Sequence, residues 1–254
     1  VITNTFQILD KVAEKKERTL WHQGIDNWQT FINKDKIKGI SKTKKSYFNR
    51  QLLKAKHELY DCNSYYFTDK LSSKETWRLY GFFKEETVFL DIESEGVGKN
   101  SDITVVGLFD GLETKTMIKG VNLDYNKLKQ ELAKYKLIVT FNGSSFDIPF
   151  IKKRYDIIPP APHIDIMHCC TRLGLRGGLK CIEKEFGIKR NSIIDKFSGG
   201  DPLTLWRMYK ATGDRYYLNL LVEYNEEDVI NLKKIANYCY EKLSEEIKNE
   251  IKTK

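Results

Sequence analysis

Asp91 and Glu93 stand two residues apart at the end of an apolar, β-branched run, Thr87-Val88-Phe89-Leu90-Asp91-Ile92-Glu93-Ser94-Glu95-Gly96. Alternate residues of a strand project from the same side. A strand covered on both faces requires Val, Phe, Leu and Ile, and has no use for two adjacent carboxylates. Such charges repel unless a cation lies between them, and hard oxygen donors suit Mg²⁺ or Mn²⁺. A solvated strand terminus is the alternative reading of an isolated Asp-x-Glu pair. Two further carboxylates favour the metal. Asp147 falls in the first turn of an expected helix, just after the glycine-bearing exit of a short buried strand, and such exits are where open α/β sheets bind ligands. Asp228 follows Tyr224 by four residues on a long expected helix, so both side chains lie on one face.

The elements that must position these residues are legible in the hydrophobic pattern. From Thr87 onward the chain reads as α/β. A second strand is expected over Ile103 to Phe109, a hairpin turn at Asp110-Gly111, and a third strand over Thr114 to Ile118. A turn at Gly96 to Asn100 precedes them. A helix over Tyr125 to Tyr135 leads to the strand Leu137 to Phe141. After Pro159, Pro160 and Pro162, His163 to Met167 reads as the fifth strand. Helices are then expected over Leu179 to Phe186, Leu203 to Ala211 and Tyr216 to Leu243, with loops at Gly177-Gly178 and Gly199-Gly200.

Residues 1–84 are expected to form a helical region distinct from 85–254. It holds one helix from Ala13 to Gln23, a short one capped by Asp26, and a longer one from Ser41 to Leu59 with Tyr47, Leu52, Ala55 and Leu59 inward. Residues 1–84 carry 17 Lys and Arg against 9 Asp and Glu, whereas 85–254 carry 26 of each, so the whole net charge of +8 belongs to the first third. That asymmetry points to a polyanion, and Lys42, Lys45 and Arg50 on the long helix are expected to track phosphates. The aromatics Tyr65, Tyr66, Phe67, Trp77 and Tyr80 are expected to pack and not to stack on bases.

Hydrophobic residues at 41% are enough for a substantial core, and no run approaches the length of a membrane span. Five cysteines without a CxxC pair fit a reduced, cytoplasmic protein better than a disulfide scaffold. The grouping of His163, His168, Cys169 and Cys170 has no structural zinc spacing. The chain begins at Val1 and not Met, as a trimmed sequence would.

The stretches FLDIES-G, FNGSSFDIPF and YNEED, in that order, resemble the three motifs of the DnaQ-like (DEDD) 3′–5′ exonucleases. The second is similar to that of family B DNA polymerase proofreading domains, and the layout resembles the YprB-like ribonuclease H-like exonucleases. The resemblance spans about Thr87 to Leu232. It implies a mixed five-stranded sheet with helices on both faces, and the five strands read from the pattern agree with it. It implies that Asp91, Glu93 and Asp228 hold one ion, that Asp91 bridges to a second, and that Asp147 helps through water. Tyr224 would place the chain in the tyrosine branch. Asn142, Gly143 and Phe146 would lie by the terminal nucleotide, Gly143 because a side chain would block close approach. Where the first motif usually continues with threonines, Ser94 keeps a hydroxyl, but Glu95 adds a negative charge that phosphate must meet.

The implied activity is hydrolysis of single-stranded DNA or RNA from the 3′ end, DNA favoured, by two divalent ions about 3.5–4 Å apart in an in-line displacement. Tyr224, with a reference pKa of about 10, is expected to orient the attacking water and not to act as the bulk base. Two other readings stand beside it. One is a nucleic-acid-binding module on a nuclease scaffold, which has no reason to tolerate four crowded carboxylates; the other is a structure-selective endonuclease.

Overall fold

β-Branched and aromatic runs bounded by turns give five strands: β1 (Thr87–Ser94), β2 (Ile103–Phe109), β3 (Thr114–Ile118), β4 (Leu137–Thr140) and β5 (His163–Asp165). The computed structural model describes residues 1–96, 98, 101–190 and 202–253. The strands form one sheet in the order β3-β2-β1-β4-β5. β1 is antiparallel to β2 and β2 to β3, while β4 and β5 continue parallel to β1, so the sheet is mixed.

The alternation along β1 decides where the carboxylates point. Val88, Leu90 and Ile92 join an apolar cluster with Leu128 and Leu132 of α4 (Tyr125–Leu132) and with Phe150 and Ile151 of α5 (Asp147–Tyr155). Phe89 enters the cluster on the opposite face, with Val229, Leu232 and Ile235 of α9 (Arg215–Lys252). Asp91 and Glu93 follow Phe89 on that face and are aimed at α9. Each large apolar side chain so buried contributes roughly 1.5–3 kcal/mol, which makes the register expensive to shift by one residue.

Helix α9 serves two regions. Its first half covers the sheet, and its second half carries Cys239, Leu243 and Ile247 into the cluster that also holds Leu20, Phe48, Leu79 and Phe83. The Tyr80 hydroxyl donates to Asn237 Oδ1 at 3.0 Å, and the rings of Trp77 and Tyr80 meet Tyr240 edge-on at 6.1 and 5.7 Å. Gly81 has to be glycine here, because a Cβ would lie 2.0 Å from the Tyr240 hydroxyl oxygen. The residues on either side of 84 therefore share one core.

The first third comprises α1 (Glu14–Trp21), α2 (Trp28–Asn33) and α3 (Lys42–Tyr60). It is pinned by Glu17, fully buried, which accepts from Thr5 Oγ1 and Phe6 N at 2.6 Å each and from Arg78 Nη2 at 3.0 Å. Losing one partner of so buried a pair costs about 3–5 kcal/mol. Several local expectations change. Asn27, and not Asp26, caps α2, accepting from Thr30 N at 2.9 Å, while Asp26 takes the Thr30 hydroxyl. Phe48 occupies the inward position on α3 where Tyr47 was expected; Tyr47 is 42% exposed. Lys45 is buried, and its ammonium donates to Asn49 Oδ1 at 2.8 Å and Ile32 O at 3.3 Å. It is thus spent within the fold and unavailable to phosphates, whereas Lys42 and Arg50 are exposed. Of the five aromatics, Phe67, Trp77 and Tyr80 are buried, and Tyr66 is half-buried beneath Lys54 and Lys70; Tyr65 lies on the surface.

Among the described residues there are three shorter helices besides: α6 (Ile166–Arg172), α7 (Leu179–Glu185) and α8 (Pro202–Thr212). The fifth strand was expected to reach Met167 but stops at Asp165. That carboxylate caps α6, accepting from Met167 N at 3.2 Å, and a cap residue ends a strand as it begins a helix. Most of the turn expected after Gly96, and the loop at Gly199-Gly200, lie outside the described residues. Among those described, no helix is long and apolar enough to cross a membrane.

Candidate active site

At the end of β1 the sheet opens. β4 pairs with β1 only as far as Phe89, and a register shift between Glu93 and Ser94 loosens the pairing with β2. Such irregularities commonly re-aim side chains at a site. Asp91, Glu93 and Asp228 converge here, each offering a carboxylate oxygen within 4.8 Å of the others. The first two come from alternate positions of β1 and the third from α9.

Asp91 is fixed from above. Asn225 of α9, fully buried, donates from Nδ2 to Asp91 Oδ2 at 2.8 Å. The space for Asn225 is provided by Gly107 of β2, directly across from Asp91 in the sheet: a Cβ there would stand 1.9 Å from Asn225 Oδ1. Neither residue was among the sequence candidates. A lone glycine within the apolar strand ITVVGLF is the signal that would have found Gly107, since it marks close approach by another group.

Asp147 stands outside the converging trio. Its side chain is buried at the first position of α5, and Oδ1 accepts from Ile92 N at 3.0 Å, a donor left over where β4 stops pairing with β1. Ahead of it the 142–146 loop is tied to Asp165, another residue absent from the sequence candidates. The two oxygens of Asp165 take Asn142 N at 2.8 Å and Ser144 N at 3.0 Å. Asn142 has φ +60°, a left-handed conformation asparagine tolerates, and is exposed. Gly143 is buried, and a Cβ would meet Thr140 Oγ1 at 2.0 Å, so the fold itself requires this glycine. Phe146 is half-buried against Phe150, with ring centroids 5.3 Å apart. The Ser94 hydroxyl turns back to Gly96 O at 2.9 Å.

Glu95 is paired. Lys119 Nζ lies 2.8 Å and Trp206 Nε1 3.2 Å from Glu95 Oε1, and the lysine hydrogen bond holds the carboxyl below its ordinary range. Lys119, 24 residues away, thus screens the Glu95 charge while also pairing with Asp102 Oδ2 at 2.7 Å. Tyr224 lies between two cations, with Lys180 Nζ 4.8 Å and the Arg190 guanidinium 5.4 Å from its ring centre. Burial, then the charges of Asp228 and Glu93, push its phenol above the usual tyrosine range, so it stays protonated.

The electrostatics of the cluster are those of crowded anions. Burial, followed by the charges of Asp147, Asp228 and Glu93, raises Asp91 well above the ordinary carboxylate range. Burial brings Asp147 up to about 7 and Asp228 to about 6, the latter restrained by Arg190. These carboxyls bind protons more tightly folded than unfolded, so stability of the metal-free protein falls as pH rises from about 4 toward 7. His163, which burial holds near 4, contributes the opposite slope, but one imidazole opposes three carboxylates. The expected result in EDTA is a Tm roughly 5 °C lower at pH 7.5 than at pH 5. A Tm that is flat or rising across that interval, measured by thermal unfolding, would show that the carboxylates are solvated and uncrowded.

A mixed five-stranded sheet whose central strand ends in carboxylates, with a further carboxylate supplied by the last long helix, defines a ribonuclease H-like fold. Residues 88–240 match the profile of the RNase_H superfamily, and the chain belongs to it. It is 27% identical over 189 residues to the uncharacterized protein YprB of Bacillus subtilis (strain 168), an alignment covering 65% of this chain and 45% of YprB. The chain thus spans less than half the length of that relative. Similar solved structures include the family B DNA polymerase of the hyperthermophilic archaeon Pyrobaculum calidifontis, at 14% identity and a TM-score of 0.47, covering 60% of this chain and 24% of the polymerase. Brucella melitensis NrnC is similar at 17% identity and a TM-score of 0.47, over 68% of this chain and 81% of NrnC.

Proposed function

We propose that this chain is a metal-dependent nuclease that removes nucleotides from the 3′ end of single-stranded nucleic acid, with DNA favoured over RNA. The observation that carries the reading is the convergence of Asp91, Glu93 and Asp228 within 4.8 Å, despite the burial and then the mutual repulsion that raise Asp91. The donor set consists of hard carboxylate oxygens alone and fits Mg²⁺ or Mn²⁺. Two such ions, held by these three side chains with Asp147 assisting from α5, would supply activation of water and neutralisation of the leaving oxygen.

The protein's own groups do the rest. Asn225 fixes which oxygen of Asp91 is left to a ligand, and Asp147 holds the strand end by its Ile92 amide. The protonated Tyr224 phenol, beside Asp228 and Glu93, offers a hydrogen bond that orients the attacking water. Lys119 screens the charge of Glu95 along the path of the phosphate. The exposed loop at Asn142 and Ser144, with the half-buried Phe146 behind it, is the surface on which a terminal nucleotide would rest. Exposed Lys42 and Arg50 on α3 extend a basic surface for further phosphates. The 3′ polarity is carried by the motif resemblance.

The test is digestion of 5′-labelled single- and double-stranded DNA and RNA with Mg²⁺, with Mn²⁺ and with EDTA. A ladder shortening from the 3′ end of single strands, fastest on DNA and lost in EDTA, is expected. Internal cuts would make the protein an endonuclease. Binding without any cleavage would make it a nucleic-acid-binding scaffold.

A further inference from the structure

We infer that Arg190 is a tethered counter-cation of the carboxylate cluster, seated on Asp228 and competing there with a divalent ion. The inference rests on the metal-dependent reading above. The Arg190 side chain is only 5% exposed. Its Nε and Nη2 reach the two oxygens of Glu183 at 2.7 and 2.8 Å, which completes a bidentate pair. A purely structural ion pair would end there. Nη2 nevertheless also donates to Asp228 Oδ1, and Nη1 is buried with no partner among the described residues.

The aim of the guanidinium is set by α9 itself. Asn231, three residues beyond Asp228 and so on the same helix face, donates from Nδ2 to Glu183 Oε1 at 2.9 Å. Glu183 is 2% exposed, so this bond fixes the carboxylate, and the carboxylate in turn fixes Arg190 against Asp228. The same guanidinium covers the Tyr224 ring. One positive charge therefore stands at the edge of three converging carboxylates, and it occupies an oxygen of one of them. In the metal-free protein it offsets part of their repulsion. Toward an arriving divalent ion its effect has the opposite sign, because like charges at short range repel and because Asp228 Oδ1 has to be shared or released.

The test is calorimetric titration of Mn²⁺ into the metal-stripped chain. The proteins compared are the parent, Asp91→Asn, Arg190→Gln and the double variant Glu183→Gln/Arg190→Gln. Arg190→Gln is expected to bind Mn²⁺ on the order of tenfold more tightly than the parent, within the range known for groups next to metal ligands, and to melt earlier in EDTA. The double variant removes a neutral pair and leaves two neutral amides that can hydrogen-bond to one another, in a smaller volume. It is expected to bind severalfold more tightly, and it decides the matter should Arg190→Gln fail to fold. A network that merely supports Asp228 would lose affinity in both. Unchanged or weaker binding in the folded variants, with parent binding lost in Asp91→Asn, overturns the role of Arg190 and leaves the nuclease reading intact. A parent that binds no Mn²⁺, or binds it regardless of Asp91→Asn, overturns the metal reading and this inference with it.

Discussion

Asp91→Asn is expected to lower phosphodiester hydrolysis on the order of 10³-fold or more, while leaving the metal-free fold as stable as the parent or more so. Several kcal/mol of transition-state stabilisation reside in a metal centre, and each 1.36 kcal/mol is a factor of about ten in rate. Asp91 is the carboxylate on which the others press: after burial, Asp147, Asp228 and Glu93 all raise it. Asparagine keeps the volume and retains an oxygen for Asn225 Nδ2, now 2.8 Å from Asp91 Oδ2. What disappears is one buried negative charge, and with it its repulsion by Asp147, Asp228 and Glu93. Single-turnover digestion measures the first effect and melting in EDTA the second. A metal-free Tm lower by more than about 5 °C would mean that the Asp91 charge is part of the architecture, and would remove the case for a ligand role.

How much of this was legible in the chain depended on whether the cause was local. β2 and β3 keep the limits read from their β-branched runs and the Asp110-Gly111 turn, because composition and turn chemistry sit in consecutive residues. That Asp91 and Glu93 share a face also follows from spacing alone. β5 was read too long because Asp165 serves as the cap of α6, and a three-residue strand followed directly by a helix offers little periodicity to read. Lys45 was misjudged because helical spacing places a lysine near a face but does not say whether Ile32 O and Asn49 will claim its ammonium. The support of the site was least visible. Asn225 meets Asp91 across 134 residues, and Trp206 meets Glu95 across 111. Arg190 reaches Asp228 across 38. Each contact is made only when α8, α9 and the segment after α7 have packed on the sheet.

Tyr224→Phe should slow the chemical step on the order of 10²-fold and leave metal binding, substrate affinity and Tm close to the parental values. The substitution deletes one hydroxyl. The ring stays, and so do the contacts of Lys180 and Arg190 with its face, because phenylalanine carries the same kind of negative π surface. Packing is thus held constant. The phenol is half-buried, and burial with the neighbouring charges of Asp228 and Glu93 keeps it protonated, which suits a donor that orients water and not a base that removes its proton. Two observables follow. Under single-turnover conditions at saturating Mn²⁺ the rate should fall while the substrate concentration for half-saturation stays put. The dependence of the remaining rate on pH should keep the parental shape below pH 9, since no group that titrates in that range has been removed. Cleavage at the parental rate would reduce Tyr224 to a platform for two cations, and the assignment of this face of α9 to the chemistry would then rest on Asp228 alone.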